Sequence, residues 1–277
     1  MTSQHEIEIL TGNRFAFGKN WKKFLGDLDE NRIGLAQQSL RDMLEIESLD
    51  GKSFLDIGSG SGLFSLAAKR LGASVHSFDF DPQSVACTNE LRNRYFPNDT
   101  SWLVEQASVL DQRYIAELGK FDIVYSWGVL HHTGEMWQAL RNVSDLVKDE
   151  GGLLIAIYND QGYISRIWLG IKKIYNRLPR IFRFPFLLLI LVRLWGPRSI
   201  IDIFSGRPFY TWRNYAKVSH RGMSAWRDVI DWVGGLPFEV ASPEKIFQFY
   251  KERGFRLDEL KTCGGRLGCN QFVFRKC

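Results

Sequence analysis

The sequence predicts a doubly wound α/β fold built on a mostly parallel sheet, and three observations carry that expectation. A short apolar run, Phe54-Leu55-Asp56-Ile57, ends in the turn Gly58-Ser59-Gly60-Ser61-Gly62, and a helical pattern starts at once in Leu63 to Arg70. Strand, glycine turn and helix in that order form the opening unit of such a sheet, with a ligand held where strand gives way to helix. From Lys52 to Asn159 strand and helix patterns alternate, a rhythm that places helices on both faces of parallel strands. Between Asp160 and about Phe238 the rhythm stops, and it resumes in residues 239–277.

Residues 1–50 precede the first strand. They hold the aromatic, basic stretch Phe15 to Leu25, then a helix over Ile33–Leu49 with Leu35, Ala36, Leu40, Met43, Leu44 and Ile46 on one broad face. Strands are expected near 52–57, 74–79, 101–105, 121–126 and 152–158, with helices near 62–71, 82–94, 111–118 and 135–148. After the interruption come a helix over Pro243–Arg253, a strand over Arg256–Thr262 and a last strand over Gln271–Arg275. The Gly-rich loop Cys263 to Asn270 joins the two strands as a hairpin. The interrupting segment opens with Ile164, Ile167, Trp168, Ile171, Ile174, Tyr175 and Leu178 at helical spacing, an amphipathic helix. Pro179 and Pro185 are expected to break it, and Phe184 to Trp195 is apolar apart from Arg193. The expected organisation is therefore an N-terminal helical piece (1–50), a core (51–160 and 239–277) and an inserted, mainly helical cap (161–238).

Composition narrows the class. At 277 residues, 45% hydrophobic and 24% charged, the chain suits one α/β domain with an appended segment. Its first residues show no basic region followed by an apolar one, and no 18 apolar residues run without a charge, so neither a secretory signal nor an ordinary membrane span is expected. Cys87, Cys263, Cys269 and Cys277 are scattered, which fits reduced thiols in the cytoplasm. The Cys263-x5-Cys269 pair lacks the companions of a metal site, so no metal is expected. The net charge of +5 hides an asymmetry. Residues 161–221 hold 12 Lys or Arg against the single acid Asp202, a local +11 that leaves −6 for the rest. A strongly basic insert on a mildly acidic body implies a partner that bears negative charge.

Two acids specify the ligand. Asp79 closes the strand Ala73 to Phe78, roughly 20 residues past the glycine turn, where a carboxylate accepts hydrogen bonds from both ribose hydroxyls of a nucleoside. The glycines let backbone approach that ligand without a Cβ in the way. They run G-x-G-x-G, so the third arrives one residue earlier than in a dinucleotide fingerprint. Asp56 would meet a pyrophosphate unfavourably but could bind an amino group, directly or through water.

With these residues the chain resembles the class I S-adenosylmethionine-dependent methyltransferases, most closely the branch that includes ubiquinone- and menaquinone-biosynthesis methyltransferases. The matching residues are Leu55 to Gly62, Phe78-Asp79-Phe80-Asp81-Pro82, Phe121-Asp122-Ile123-Val124 and Val129-Leu130-His131-His132. The resemblance implies a Rossmann-like sheet with an antiparallel last strand and S-adenosyl-L-methionine as cofactor. It also implies an N-terminal helical lid that closes over the cofactor, with Lys19, Asn20 and Trp21 in it; the plainer reading is a helix covering the sheet's edge. Asp56, Gly58, Ser59, Gly60 and Gly62 are then assigned to the methionine half and the turn, Asp79 to the ribose and Phe80 to the adenine face. The position that usually carries an acid for the adenine amine reads Ala107, so Ser108 or backbone substitutes, with Asp111 a second candidate further along. Trp127 and Val129 line the methionine end.

Methyl transfer from a sulfonium needs alignment and exclusion of water more than it needs catalytic groups. His131 or His132, in the loop after the fourth strand, is placed to take a proton from an acceptor hydroxyl, with His132 ahead. The plainer alternative is that the first histidine packs within the loop and only the second meets substrate. Tyr158 and Asn159 are lesser candidates for substrate contact. The reaction expected is O-methylation of a small-molecule, sugar or lipid-linked acceptor; a non-catalytic regulator that binds the cofactor or a nucleotide is the alternative.

Three readings of the insert stay open. It caps a hydrophobic or anionic small molecule, it rests peripherally on an anionic membrane through 161–221, or its apolar faces make a homodimer. Its 12 aromatics beside 12 basic residues also suit single-stranded nucleic acid. Enzymes that methylate base amino groups carry an Asn/Asp-Pro-Pro-Tyr/Phe motif after the fourth strand. Ser126-Trp127-Gly128-Val129 stands there instead, which counts against an RNA methyltransferase.

Overall fold

The computed structural model describes residues 4–26, 28–218 and 225–277. Three helices lead: α1 (Gln4–Leu10), α2 (Gly18–Gly26) and α3 (Glu30–Leu44). The alternating region follows with β1 (Ser53–Ile57), α4 (Leu63–Arg70), β2 (Ser74–Asp79), α5 (Pro82–Tyr95), β3 (Trp102–Gln106) and α6 (Gln112–Leu118). It continues through β4 (Phe121–Trp127), a 3-10 turn at Leu130–His132, α7 (Met136–Asp145) and β5 (Val147–Tyr158). Then come α8 (Tyr163–Arg177), α9 (Arg180–Phe204), α10 (Tyr210–Val218), α11 (Ala225–Gly234), α12 (Pro243–Lys251), β6 (Phe255–Lys261) and β7 (Cys269–Lys276).

The chain divides into two compact units. One comprises Ala16–Ser165 with Pro237–Cys277, the other Met1–Phe15 with Arg166–Leu236. Residues 16–50 thus group with the sheet and the first fifteen with the insert.

The larger unit holds a seven-stranded sheet in the order β3-β2-β1-β4-β5-β7-β6. Pairings from β3 across to β5 are all parallel, and β7 runs antiparallel to both β5 and β6. This is the expected Rossmann-like sheet with its antiparallel last strand and hairpin. Strand order reverses between β1 and β4, and ligands of open α/β sheets bind beyond the carboxyl ends of strands at such a reversal.

Side-chain alternation along each strand feeds two cores. Leu55 and Leu153 sit in one with Leu140, Val143 and Tyr250; Phe54 and Leu154 sit in the other with Leu40, Leu66 and Trp102. β5 is buried on both faces from Gly151 to Ile157, which explains its continuous apolar run.

Several boundaries differ from expectation for local reasons. α3 stops at Leu44, not Leu49, because Glu45 turns left-handed at φ 53° and its N–H returns to the Arg41 carbonyl. α7 ends at Asp145 rather than 148, because Val147 already pairs with Phe121 and extends β5 backwards past the positive-φ Glu150. Pro185 does not break the insert. Pro179 caps α9, and both Pro185 and Pro197 lie inside that single 25-residue helix. Each ring removes one helical hydrogen bond, while the apolar run on either side continues. The expectation that no segment could span a membrane also needs correction. By length and composition alone α9 passes as a span, with a mean hydropathy of 1.6 over its best window, because Arg193 and Arg198 do not offset their apolar neighbours.

In the smaller unit, Trp168 of α8 meets Trp232 of α11 edge-on at 5.4 Å. Lys172 is fully buried beside them. Its Nζ donates to the Trp232 carbonyl and lies 4.6 Å from the centre of that indole, and burial lowers its pKa to about 7.

Adjacent residues of β5 serve opposite cores, which sets a test. Leu153→Ala and Leu154→Ala should each cost about 2–5 kcal/mol, and the double variant should cost close to the sum because the two side chains belong to separate cores. Equilibrium urea unfolding of the three variants checks this.

Candidate active site

The turn after β1 is stapled to the end of β2. Gly58 and Ser59 both donate their N–H to the Phe78 carbonyl, at 2.8 and 3.2 Å. Gly58, Gly60 and Gly62 take φ of 74°, 57° and 80°, the left-handed region that favours glycine. Asp79 completes the clamp: one carboxylate oxygen accepts from Gly60 N–H at 3.0 Å and the other from Asp81 N–H at 2.8 Å.

The space freed by the glycines is used by the protein itself. A Cβ on Gly58 would lie 2.4 Å from Val129, one on Gly60 3.1 Å from the Trp21 indole and one on Gly62 2.9 Å from Thr88. Val129 and Trp21, both assigned to the cofactor site from sequence, therefore converge on the turn from β4 and α2. The glycines are needed for this close packing as well as for a ligand's approach.

Asp56 lies below the turn, only 2% exposed. Ser65 of α4 donates its hydroxyl to it at 2.5 Å, and Ser65 Oγ and Trp102 Nε1 both meet Ser77 Oγ, at 2.8 and 3.0 Å. Burial raises the Asp56 carboxyl to about 7, against the Ser65 hydrogen bonds and reinforced by the Asp79 charge. This acid supports the first turn of α4, whose cap residue Gly62 has no side chain to do so. Ser59 Oγ bonds Thr88 at 2.9 Å and ties the turn to α5.

Other assigned residues gather along the sheet's carboxyl edge. Ala107 N–H donates to the Asp79 carbonyl at 3.1 Å, and Ser108 Oγ accepts from Leu110 N–H at 3.2 Å, which closes the turn after β3. Gln106 holds the Phe80 carbonyl at 3.3 Å. Asp111 instead caps α6 through the Arg113 and Tyr114 amides. Trp127 stacks on Phe64 and Tyr125, at 6.4 and 6.2 Å, toward the α3–α4 core. The side chains of Lys19 and Asn20 lie outside the described residues.

The histidine loop is fixed by backbone groups. His131 is fully buried, and its Nδ1 accepts the Tyr158 N–H at 3.3 Å while the two rings lie 3.9 Å apart. His132 is 7% exposed, with Nδ1 2.6 Å from the Pro237 carbonyl. A carbonyl can only accept, so His132 Nδ1 carries the proton, and in the neutral ring Nε2 is the basic nitrogen. Phe17 packs 5.0 Å from the His132 ring. Asn159 pairs with Asn270 at 3.0 Å, at the start of β7.

Sequence reasoning missed three contributors. Asp81 accepts from both Gln83 N–H and Gly18 N–H at 2.9 Å, so one carboxylate caps α5 and anchors α2. Its place before Pro82 signalled the α5 cap, but nothing signalled Gly18, 63 residues away. Glu239 accepts Met136 N–H at 2.9 Å and donates its own N–H to the His131 carbonyl at 3.0 Å; partial burial raises its carboxyl. Pro237 supplies the carbonyl for His132. Both lie just past Leu236, the last residue of the smaller unit, where no local pattern marks them. Among the described residues no group of three His, Cys, Asp or Glu is placed to hold a metal ion.

Residues 55–153, which include the turn, both acids and the histidine loop, match the family model described as a methyltransferase domain. That segment is a methyltransferase domain, and its motifs resemble those of the class I S-adenosylmethionine-dependent methyltransferases. It is similar to a ubiquinone biosynthesis O-methyltransferase of Glaesserella parasuis serovar 5, with 28% identity over 134 residues, 48% of this chain and 56% of that protein. A malonyl-[acyl-carrier protein] O-methyltransferase of Magnetococcus marinus is 30% identical over 168 residues, 58% of each chain. The matches thus span little more than half the length of these relatives. In fold the chain resembles a magnesium protoporphyrin IX methyltransferase from Synechocystis PCC 6803 solved with bound S-adenosylhomocysteine. The TM-score is 0.54, at 14% identity and 94% coverage of both chains. A methyltransferase from Aquifex aeolicus gives 0.51 at 12% identity, with 94% of this chain and 98% of that one covered.

The donor set fits the family's cofactor. Asp79 offers an anionic acceptor beside the turn, and the uncapped start of α4 favours a carboxylate such as that of the methionine moiety. Asp79→Ala should weaken S-adenosylhomocysteine binding by roughly 100-fold, about 3 kcal/mol, read by calorimetry. Asp56 sets a second expectation. Its folded pKa lies above the unfolded value, so between about pH 4 and about pH 7 only the folded state holds the proton, and stability falls as pH rises through that window. Urea unfolding at a series of pH values should show that decline, on the order of a few kcal/mol, and Asp56→Asn should flatten it.

Proposed function

We propose that this protein transfers a methyl group from S-adenosylmethionine to a hydroxyl oxygen of a small-molecule, sugar or lipid-linked acceptor, with His132 as general base. The observation that carries the reading is the 2.6 Å contact from His132 Nδ1 to the Pro237 carbonyl, which fixes the tautomer with basic Nε2. The same short loop brings Val129 against Gly58, so base and cofactor turn are held by one piece of backbone. The O-methyltransferase relatives support oxygen as the acceptor atom.

S-adenosylmethionine supplies a methyl group on a sulfonium, already activated for displacement. Asp79 orients the nucleoside, the Gly58–Gly62 turn fixes the methionine end, and Trp21 and Phe17 of the N-terminal segment shield the site from water. His132 Nε2 takes the acceptor's hydroxyl proton as the oxygen attacks. His131 is a positioning residue: buried against Tyr158, it holds the loop through which His132 reaches the site. The fitting compartment is the cytoplasm, where the cofactor is made available.

Cell-extract fractions incubated with the protein and cofactor should release S-adenosylhomocysteine in at least one fraction. Binding without release in any fraction would favour the regulator reading. With the acceptor so found, His132→Ala should lower kcat about 10²- to 10⁴-fold and leave S-adenosylhomocysteine affinity within about twofold. Unchanged kcat removes the base role.

A further inference from the structure

We propose that α9 is an interfacial membrane helix, which lies in the headgroup region of an anionic bilayer with its apolar face down. Only 6% of its most apolar window is buried. Ile181, Phe184, Leu188, Leu189 and Val192 are between 46% and 77% exposed. At about 3.6 residues per turn, Ile181, Leu188 and Val192 fall close to one line, with Phe184 and Leu189 on either side of it. Exposed Arg193 lies on one flank of this stripe and exposed Arg180 and Arg198 lie on the other. A broad apolar stripe bordered by arginines is what an acyl–headgroup boundary accommodates: the hydrocarbon takes the stripe and the lipid phosphates take the guanidinium groups.

Charge selects this occupant over a second copy of the chain. Residues 161–221 carry a net +11, so two copies meeting through this face would bring like charges together. An anionic bilayer brings the opposite sign.

The contacts of α9 within its own unit decide between lying on the membrane and crossing it. Leu187 is buried, Phe186 stacks on Tyr175 of α8 at 6.3 Å, and Trp195 meets Trp212 and Tyr215 of α10 at 4.8 and 5.3 Å. Asp202 accepts both the N–H and the hydroxyl of Thr211, each at 2.8 Å. At about 37 Å the helix is long enough to span. Crossing would strip these contacts away and carry Asp202 and Arg193 into hydrocarbon, whereas lying flat on the Ile181–Val192 stripe, short of the part of that face that α10 covers, keeps them.

The test is co-sedimentation of the purified full-length chain with phosphatidylcholine vesicles, with and without about 30% phosphatidylglycerol. Binding to the anionic vesicles is expected to exceed binding to the neutral ones by at least about tenfold and to weaken as salt rises. The variant Leu188→Asp/Leu189→Asp/Val192→Asp should lose binding by a similar factor. Arg180→Gln/Arg198→Gln should lose only the preference for anionic lipid. Unchanged circular dichroism and S-adenosylhomocysteine affinity in both variants show that fold and cofactor site are intact. The proposal is overturned if the wild type stays in the supernatant, or if the triple variant binds as well as the wild type. It is also overturned if that variant merely turns a dimer into a monomer, or if bound protein resists alkaline carbonate extraction as a spanning helix does.

Discussion

The carboxylate of Asp79 is the group on which the site's geometry depends. Through Gly60 and Asp81 it ties the turn after β1 to the loop after β2, at 3.0 and 2.8 Å. Asp81 in turn holds the first residue of α2 and the first turn of α5. A short relay of acids thus connects two strand ends and two helix starts. Each hydrogen bond runs from a backbone amide to a charged oxygen, a stronger kind than one between neutral groups. The acid expected to grip a ribose is therefore already committed to shaping the turn, and a ligand would meet a carboxylate held at both oxygens.

A division of labour between the two acids at the strand ends follows from their surroundings. Asp79 sits half-buried at the sheet's edge among amides that stabilise its charge. Asp56 sits one strand away under α4, where burial raises its pKa and Ser65 is its hydroxyl partner. The first is suited to hold charge toward a ligand. The second is suited to brace a helix and can do so as a neutral acid. Similar sequence placement, at the end of a strand beside the glycine turn, yields different chemistry because one faces the cleft and the other the core.

The sheet and its motifs were legible in the sequence because strand patterns, glycine spacing and the hairpin loop are local. Strand and helix alternation located every strand to within a few residues, the early start of β5 excepted, and the four motifs fixed the family. Boundaries were less legible where one residue takes an unusual backbone conformation, as at Glu45 and Glu150. Contacts that close the site were not legible at all. Gly18 with Asp81, Val129 against Gly58 and Pro237 with His132 join segments up to 105 residues apart, and neither member of these pairs has a side chain that advertises its partner. α9 was misjudged for a different reason: two prolines and one arginine read as breaks, while its flanking apolar residues kept it continuous.

The insertion of β7 between β5 and β6 has a consequence for how the chain matures on the ribosome. β5 is a central strand, buried on both faces, yet the partner for one of its edges is supplied by residues 269–276. While synthesis proceeds through more than a hundred intervening residues, that edge offers unpaired N–H and C=O groups along an apolar strand, a template for association with other chains. Truncation within β7 would leave the edge exposed permanently, so premature termination there should yield aggregation rather than a weakened enzyme.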